Sequence, residues 1–170
     1  LLLFSKALQS VFRWNTQTQS YGATIPLLDT PDYVTYSPAH HALYTAYNSG
    51  LVQKIDLAAN PLRELPFAQL PAMPRGLAAA GNTLMVGDAS GAWMTHRTFD
   101  AAGTQISAVD WNYYSQEYVW SAANGRLYFF RDDTSPNDLL WEIINPDGSI
   151  GTKQDSPYHG DFAIQHPIRV

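Results

Sequence analysis

The chain has 170 residues, of which 13% are aromatic and 15% are charged, and its formal net charge is −5. This composition suits one packed domain and excludes a disordered chain and a basic, nucleic-acid-binding surface. Cysteine is absent, which excludes disulfide bonds and thiolate metal sites and leaves the redox compartment open. Eleven glycines and eleven prolines supply many turns, so the composition favours β structure over helix.

The two ends of the chain suggest a piece of a longer protein. The chain begins inside an apolar run, residues 1–4, and it ends inside another, residues 168–170. The first run lacks the basic start and the cleavage site of a signal peptide, and no run approaches the roughly 18 apolar residues of a membrane helix. The chain is poor in lysine and rich in Asn, Gln, Thr and Tyr, which favours a bacterial periplasmic or extracellular protein without fixing the compartment.

Three segments resemble one another when they are aligned on a turn glycine. Gly50, Gly91 and Gly125 each lie between two β-rich runs, at spacings of 41 and 34 residues. Asn124-Gly125 is the strongest hairpin signal, because a type I′ turn needs positive φ at both central residues. A step of 41 residues back from Gly50 reaches Gln9, which also lies between two such runs. The sequence therefore predicts four hairpins with a period near forty residues.

Further strands flank each hairpin, so that the predicted unit is a four-stranded meander. Those before the second, third and fourth hairpins cover residues 33–36, 76–80 and 106–111. Those after the four hairpins cover residues 21–27, 62–67, 104–106 and 139–144. The strands around residues 118–120 and 127–130 are apolar on both sides, which is typical of strands buried on both faces.

The pattern resembles the bacterial β-propeller repeats of the YVTN type, whose blades are four-stranded with a glycine-centred hairpin in the middle. The three glycine hairpins carry the resemblance, together with residues 54–57, which have the ending expected of a third strand. The Tyr-Val-Thr-Asn signature is not present as such, since Tyr33-Val34-Thr35-Tyr36 departs from it and lies in a different strand. The resemblance implies the propeller architecture and no single activity.

We therefore predict an all-β chain, a β-propeller-like array of about four four-stranded antiparallel blades in a single domain. Its predicted parts are a partial blade in residues 1–28, blades in residues 29–70, 71–104 and 105–152, and the first strand of a further or closing blade in residues 153–170. The last strand, residues 161–170, could complete the unit that starts at Leu1 and close a four-blade ring. The alternative is an arc of a larger ring. Its apolar sheet surfaces would then be covered by the rest of a longer chain or by a second copy.

Candidate binding residues lie in the loops that would surround the mouth of a propeller channel. Those in loops that join one blade to the next are Asp29, Asp32, Arg75, Tyr158 and His159. An aromatic cluster adds Trp111, Tyr113 and Tyr114. These aromatic rings could stack on a sugar or enter a partner's pocket, but a wedge between adjacent blades is the favoured interpretation.

Other candidate sites are better explained as ordinary structure. His40-His41 has no third ligand at a helpful spacing, so we expect a solvated turn, and His96 is predicted to be a packed or edge residue. The polar loop 132–138 lacks the calcium-binding pattern. The few glutamates provide no good catalytic acid, because one begins a strand and two are assigned to outer strands: Glu117, Glu64 and Glu142. Neither a serine-hydrolase elbow nor a phosphate-binding loop occurs.

These observations predict a non-catalytic binding or scaffold module, which recognises a protein, a saccharide or another small ligand through loops at the channel mouth. One alternative is a periplasmic or extracellular enzyme domain, a hydrolase or lyase acting on a polar polymer in the channel. The other is a purely structural part of a larger surface protein. We expect no cofactor, metal, nucleic acid or membrane span, and the expected partner is a protein or a second copy that completes the ring.

Overall fold

A computed structural model describes residues 1–111, 117–130 and 139–155. These residues form sixteen β-strands, which assemble into four sheets of four strands each. Within the described ranges, the backbone contains no helix that could cross a membrane. The predicted strand at residues 161–170 and the polar loop at residues 132–138 lie outside the described residues.

The first sheet is built around one long central strand. Its strands are β1 (Leu2–Ser5), β2 (Ser10–Asn15), β3 (Ser20–Tyr21) and β4 (Ile25–Pro26). β1 pairs with one edge of β2, while the two short strands β3 and β4 share its other edge. The first sheet therefore has three strand positions, the outermost of which is divided between β3 and β4.

The other three sheets are regular meanders, in which each strand pairs antiparallel with the next one along the chain. The second sheet contains β5 (Tyr33–Ser37), β6 (Ala42–Ala46), β7 (Leu51–Asp56) and β8 (Leu65–Gln69). The third contains β9 (Pro74–Ala80), β10 (Thr83–Asp88), β11 (Met94–Phe99) and β12 (Gln105–Trp111). The fourth contains β13 (Tyr118–Ser121), β14 (Arg126–Phe130), β15 (Leu139–Ile144) and β16 (Ile150–Asp155).

The sheets pack face to face in the order of the chain. Val11 and Ile25 meet Leu43 and Ile55 between the first and second sheets. The next interface brings together Tyr44, Val52, Leu84 and Phe99, and the one between the third and fourth sheets brings together Met85, Leu127, Phe129 and Leu140. Since β9 contacts both β5 and β13, these three strands occupy equivalent inner positions. Burying both faces of a sheet explains why its central strands are apolar on both sides.

Backbone hydrogen bonds define two edges of this array. The Gln9 carbonyl accepts from the Leu27 amide at 2.8 Å, and the Gly50 carbonyl accepts from the Leu70 amide at 2.9 Å. The turns β1–β2 and β6–β7 therefore lie beside the connections between sheets, at what we call the upper edge. The turns β5–β6 and β13–β14 lie at the opposite, lower edge. Because its turn is at the upper edge, β1 corresponds to the second strand of the other sheets, β6, β10 and β14.

The structure corrects the predicted boundary between the third and fourth blades. Residues 106–111 belong to β12, which pairs with β11 and is the outer strand of the third sheet, whereas the prediction made them the first strand of the fourth blade. The Gly125 turn joins β13 to β14 and is thus an inner hairpin. The two edges share the same turn chemistry, with φ of 83° at Gly50 and 65° at Gly125, so the turn glycine does not identify the hairpin. Residues 153–155, assigned to a following blade, end β16 of the fourth sheet.

Candidate functional site

A cavity of about 300 Å³ opens at the upper edge between the first and second sheets. The connection from β4 to β5 forms one wall and the turn from β6 to β7 forms the other. We call this cavity the mouth pocket. It is lined by Leu28, Asp29, Thr30, Asp32, Tyr47, Asn48, Ser49 and Leu51. The lining is acidic and rich in hydrogen-bond acceptors, and it includes no Lys, Arg or His.

Two of the residues predicted from the sequence, Asp29 and Asp32, meet in the mouth pocket. Asp29 Oδ1 accepts hydrogen bonds from the Thr30 amide at 2.7 Å and from Gln9 Nε2 at 3.1 Å, which holds this carboxylate in place. Asp32 is exposed, and among the described residues its carboxylate has no hydrogen-bond or ion-pair partner. The pocket therefore contains one anchored carboxylate and one whose oxygens are available to a ligand.

Glu64, just before β8, fixes the two walls of the mouth pocket to each other. Its Oε1 accepts from the hydroxyls of Thr45 and Tyr47, both at 2.5 Å, and its Oε2 accepts from the Leu28 amide at 2.6 Å. Burial, reinforced by the hydrogen bond to Glu64, raises the pKa of Tyr47 above its usual range, so its phenol stays protonated and remains a donor. No local sequence pattern predicts this contact, because Glu64 lies 17 residues beyond Tyr47.

The turn between β10 and β11 is also held rigid at the upper edge. Asp88, which is fully buried, accepts from Arg97 Nε at 2.5 Å and from the Ser90 amide at 2.8 Å. Arg97 also donates through Nη2 to Ser90 Oγ at 2.9 Å. Asp88 therefore both closes the turn, through the Ser90 amide, and pairs with the Arg97 guanidinium.

The remaining predicted binding residues do not join the mouth pocket. Arg75 lies in the inner strand β9. Trp111 is only 5% exposed, donates its indole N–H to Glu142 Oε2 at 3.1 Å and packs edge-on against Phe129. This burial removes Trp111 from the candidate ligand-binding residues and makes it a wedge between the third and fourth sheets. Tyr113, Tyr114, Tyr158 and His159 lie outside the described residues.

A buried polar chain crosses the interface between the third and fourth sheets. His96 Nδ1 lies 2.9 Å from Glu142 Oε1, and both side chains have no exposed surface. His96 Nε2 lies 3.1 Å from the hydroxyl of Tyr118. His96 is thus a packed residue, as predicted, whereas Glu142 is a fully buried residue of the third strand in its sheet, which corrects its assignment to an outer strand. Gly87 leaves room for the Tyr118 hydroxyl, because a Cβ at this position would overlap it.

His40 also belongs to an interface and corrects the prediction of a solvated turn. Its Nδ1 lies 2.7 Å from the Tyr44 hydroxyl, and its Nε2 lies 3.0 Å from the Asn82 carbonyl oxygen of the third sheet. Its neighbour His41 is exposed and has a φ of 45°. Across residues 1–111, 117–130 and 139–155, no group of three or more His, Asp or Glu side chains is arranged to hold a metal ion.

Comparison with known proteins identifies the fold. No protein-family model and no curated protein matches the sequence. The comparisons therefore do not assign the chain to the YVTN repeat type. Among solved structures, Kuenenia stuttgartiensis hydrazine synthase aligns with a TM-score of 0.67 at 16% identity, covering 91% of this chain and 45% of that one. A functionally unknown protein from Desulfotomaculum acetoxidans DSM 771 aligns with a TM-score of 0.65 at 13% identity, covering 93% and 50%.

A third similar structure is the dihydro-heme d1 dehydrogenase NirN in complex with DHE. It aligns with a TM-score of 0.64 at 14% identity, covering 91% of this chain and 34% of that one. The chain therefore spans half or less of the length of each of these proteins. Hydrazine synthase and NirN are β-propeller proteins, and together with the four antiparallel sheets they confirm the predicted fold: the chain is an all-β, propeller-like array of four-stranded sheets.

Proposed function

We propose that this chain is a non-catalytic binding module, which holds a cationic group of a partner, such as a lysine or arginine side chain, in the mouth pocket. The observation that carries the proposal is the exposed Asp32 carboxylate, which is unpaired among the described residues and lies beside Asp29 in a pocket lined by no basic side chain. Carboxylates make their strongest hydrogen bonds with charged donors, so an ammonium or guanidinium group complements this lining.

The construction of the pocket supports recognition by a preformed site. Glu64 ties the Leu28 wall to Tyr47, and Gln9 holds Asp29. A ligand would therefore find the carboxylates already positioned, which reduces the entropy lost on binding. Asn48 and Ser49 contribute further polar groups at the rim.

The buried ionisable groups support binding over catalysis. A general acid or base must reach its substrate. His96 and Glu142 have no exposed surface and are engaged with Tyr118 and Trp111, so in this conformation they serve the interface between sheets.

Calorimetric titration with N-acetyl-lysine methylamide tests the proposal, with the neutral N-acetyl-norleucine methylamide and glucose as comparison probes. We expect heat of binding from the lysine probe and none from the other two. Asp32→Asn should weaken binding of the lysine probe by at least about tenfold, since a hydrogen bond to a charged group contributes roughly 1.5–3 kcal/mol. Asp100→Asn is the matched control, because Asp100 is a carboxylate in the turn between β11 and β12 at the lower edge.

Three results would overturn the proposal. Equal binding of the norleucine probe would mean that the contact is apolar. Binding of glucose in place of the lysine probe would make the ligand a saccharide. Equal weakening by Asp100→Asn would mean that net charge, and not the mouth pocket, attracts the probe.

A further inference from the structure

The turn between β13 and β14 contains a dipeptide whose chemistry the binding proposal does not use. Asn124 is followed by Gly125, and it is the one asparagine in the sequence that precedes a glycine. Asn124 is exposed, and its turn lies at the lower edge, away from the mouth pocket. Because glycine has no side chain, the backbone nitrogen of Gly125 is unhindered. The amide carbon of the Asn124 side chain is therefore open to attack by this nitrogen.

Two hydrogen bonds hold the side-chain amide of Asn124 in one orientation. Its Oδ1 accepts from the Arg126 backbone N–H at 3.2 Å, which folds the side chain back along the turn towards the Gly125 peptide. Its Nδ2 donates to the Tyr128 hydroxyl at 2.8 Å. Holding a reacting group beside its nucleophile lowers the entropic part of a reaction barrier. The oxygen of this amide thus faces an N–H donor, and its nitrogen faces a phenol.

The same two contacts match the charges that develop when the amide is attacked. Attack at Cγ turns Oδ1 of Asn124 into an oxyanion, which an N–H donor such as that of Arg126 stabilises. Attack also turns Nδ2 into a basic amine, which must take up a proton before it can leave as ammonia. A phenol O–H is a donor as well as an acceptor, and the Tyr128 hydroxyl lies within hydrogen-bonding distance of Nδ2. Tyr128 can therefore supply this proton.

We propose that Asn124 is a site of intramolecular deamidation and that Tyr128 is the general acid of this reaction. The Gly125 nitrogen, released from its hydrogen bond to the Ser121 carbonyl, loses its proton to a base from solvent and forms a bond to Cγ of Asn124. The bond from Cγ to Nδ2 then breaks, and the nitrogen leaves as ammonia with the proton that Tyr128 donates. Water opens the resulting cyclic succinimide to aspartate or isoaspartate, and Tyr128 regains its proton from solvent. In sum, the reaction consumes water and releases ammonia.

Deamidation changes both the charge and the backbone of this hairpin. Either product places a carboxylate close to Arg126, whose guanidinium lies 3.8 Å from the centre of the Trp141 ring. The isoaspartate product also adds a carbon to the backbone of the turn. In this turn the Gly125 N–H donates to the Ser121 carbonyl at 3.0 Å, and the Gly125 carbonyl accepts from the Ile144 amide at 3.2 Å. Because these hydrogen bonds connect β13, β14 and β15, the modification acts on the strand pairing of the fourth sheet.

Peptide mapping by mass spectrometry, after the folded protein has been incubated at neutral pH and physiological temperature, measures the reaction. We expect aspartate and isoaspartate, which chromatography separates, to accumulate at Asn124. The rate should rise with pH, because the attacking nitrogen must be deprotonated. Asn48 is the internal control, since it is also exposed in a turn but is followed by Ser49, whose side chain hinders attack.

Removal of the Tyr128 hydroxyl tests the proton donor. Tyr128→Phe keeps the ring and should lower the rate at Asn124 by at least about tenfold, since general acid catalysis contributes roughly 10²–10⁴-fold. A purely structural role of the hydroxyl has the opposite sign, because loss of its contact loosens the turn and lets it open more often. Tyr36→Phe is the matched control, since Tyr36 is an exposed tyrosine of the second sheet. In unfolded synthetic peptides of residues 118–130, tyrosine and phenylalanine at position 128 should give equal rates, because the folded contact is missing.

Three results would overturn the proposal. Accumulation of product at Asn124 no faster than at Asn48 would mean that the folded turn protects the amide. A rate in Tyr128→Phe that equals or exceeds that of the wild type would mean that the phenol donates no proton to the leaving nitrogen. An equal fall in Tyr36→Phe would mean that the effect does not arise in this turn. None of these results depends on the mouth pocket or on the lysine probe.

Discussion

The pair formed by His96 and Glu142 makes a quantitative prediction about the interface between the third and fourth sheets. Glu142 accepts hydrogen bonds from His96 at 2.9 Å and from the Trp111 indole at 3.1 Å. Glu142→Leu leaves both donors without an acceptor in a site that water does not reach. Breaking a buried pair by removing one partner costs about 3–5 kcal/mol. Because domains are stable by roughly 5–15 kcal/mol, this loss is a large part of the total free energy of unfolding.

Urea unfolding of the two single variants and the double variant measures this effect. His96→Leu should lower the free energy of unfolding about as much as Glu142→Leu. It leaves the buried Glu142 carboxylate with one hydrogen-bond donor among the described residues, the Trp111 indole. The double variant removes both polar groups and should lose less than the sum of the singles, with a coupling of about 0.5–3 kcal/mol. Additive effects of less than about 1 kcal/mol each would refute the reasoning, since they would mean that the pair contributes little to the interface.

Two further predictions concern the packing between sheets. Gly87→Ala should destabilise the protein by about 1–3 kcal/mol in urea unfolding, because the new methyl group overlaps the Tyr118 hydroxyl. Gly22→Ala, whose Cβ would have its nearest neighbour at 3.7 Å, should stay within about 1 kcal/mol of the wild type, and an equal loss in both variants would contradict the steric argument. Burial raises the pKa of Tyr44 to about 12, so the folded state keeps this proton after the unfolded state, with its pKa near 10, has released it. The free energy of unfolding should therefore fall from pH 10 to pH 12, by at most roughly 1.4 kcal/mol per pH unit from this group. In Tyr44→Phe the free energy of unfolding should fall less steeply over the same range. Equal slopes in the two proteins would exclude Tyr44 as the cause.

The strands were predictable because their sequence pattern is local. Runs of β-branched and aromatic residues separated by glycine turns predict strands and tight turns at almost every position where the structure has them. The pairing order of those strands was harder to predict from the sequence. The hairpin between the first and second strands of a sheet and the hairpin between its second and third strands use the same glycine turn. Similarity between Tyr33-Val34 and Tyr118-Val119, which begin the equivalent strands β5 and β13, was the signal that identifies the inner strand of the fourth sheet.

The candidate site was predictable where it depends on loop position. Asp29 and Asp32 were proposed because loops between blades lie at the channel mouth, and the structure brings both into one pocket. The supporting contacts depend on pairs distant in sequence, such as Leu28 with Glu64, which are 36 residues apart, and no local pattern records them. The role of Trp111 was ambiguous in the sequence, since an aromatic residue at the end of a strand suits a wedge between sheets and a ligand platform equally well.

The most direct test of the binding proposal is a map of backbone amide chemical shifts during titration with N-acetyl-lysine methylamide. The account predicts that the largest changes occur at Thr30, Asn48 and Ser49, which line the mouth pocket at the upper edge. Turns at the lower edge, such as residues 100–104, should not respond. Changes centred on those lower turns, or no saturable change at any amide, would contradict it.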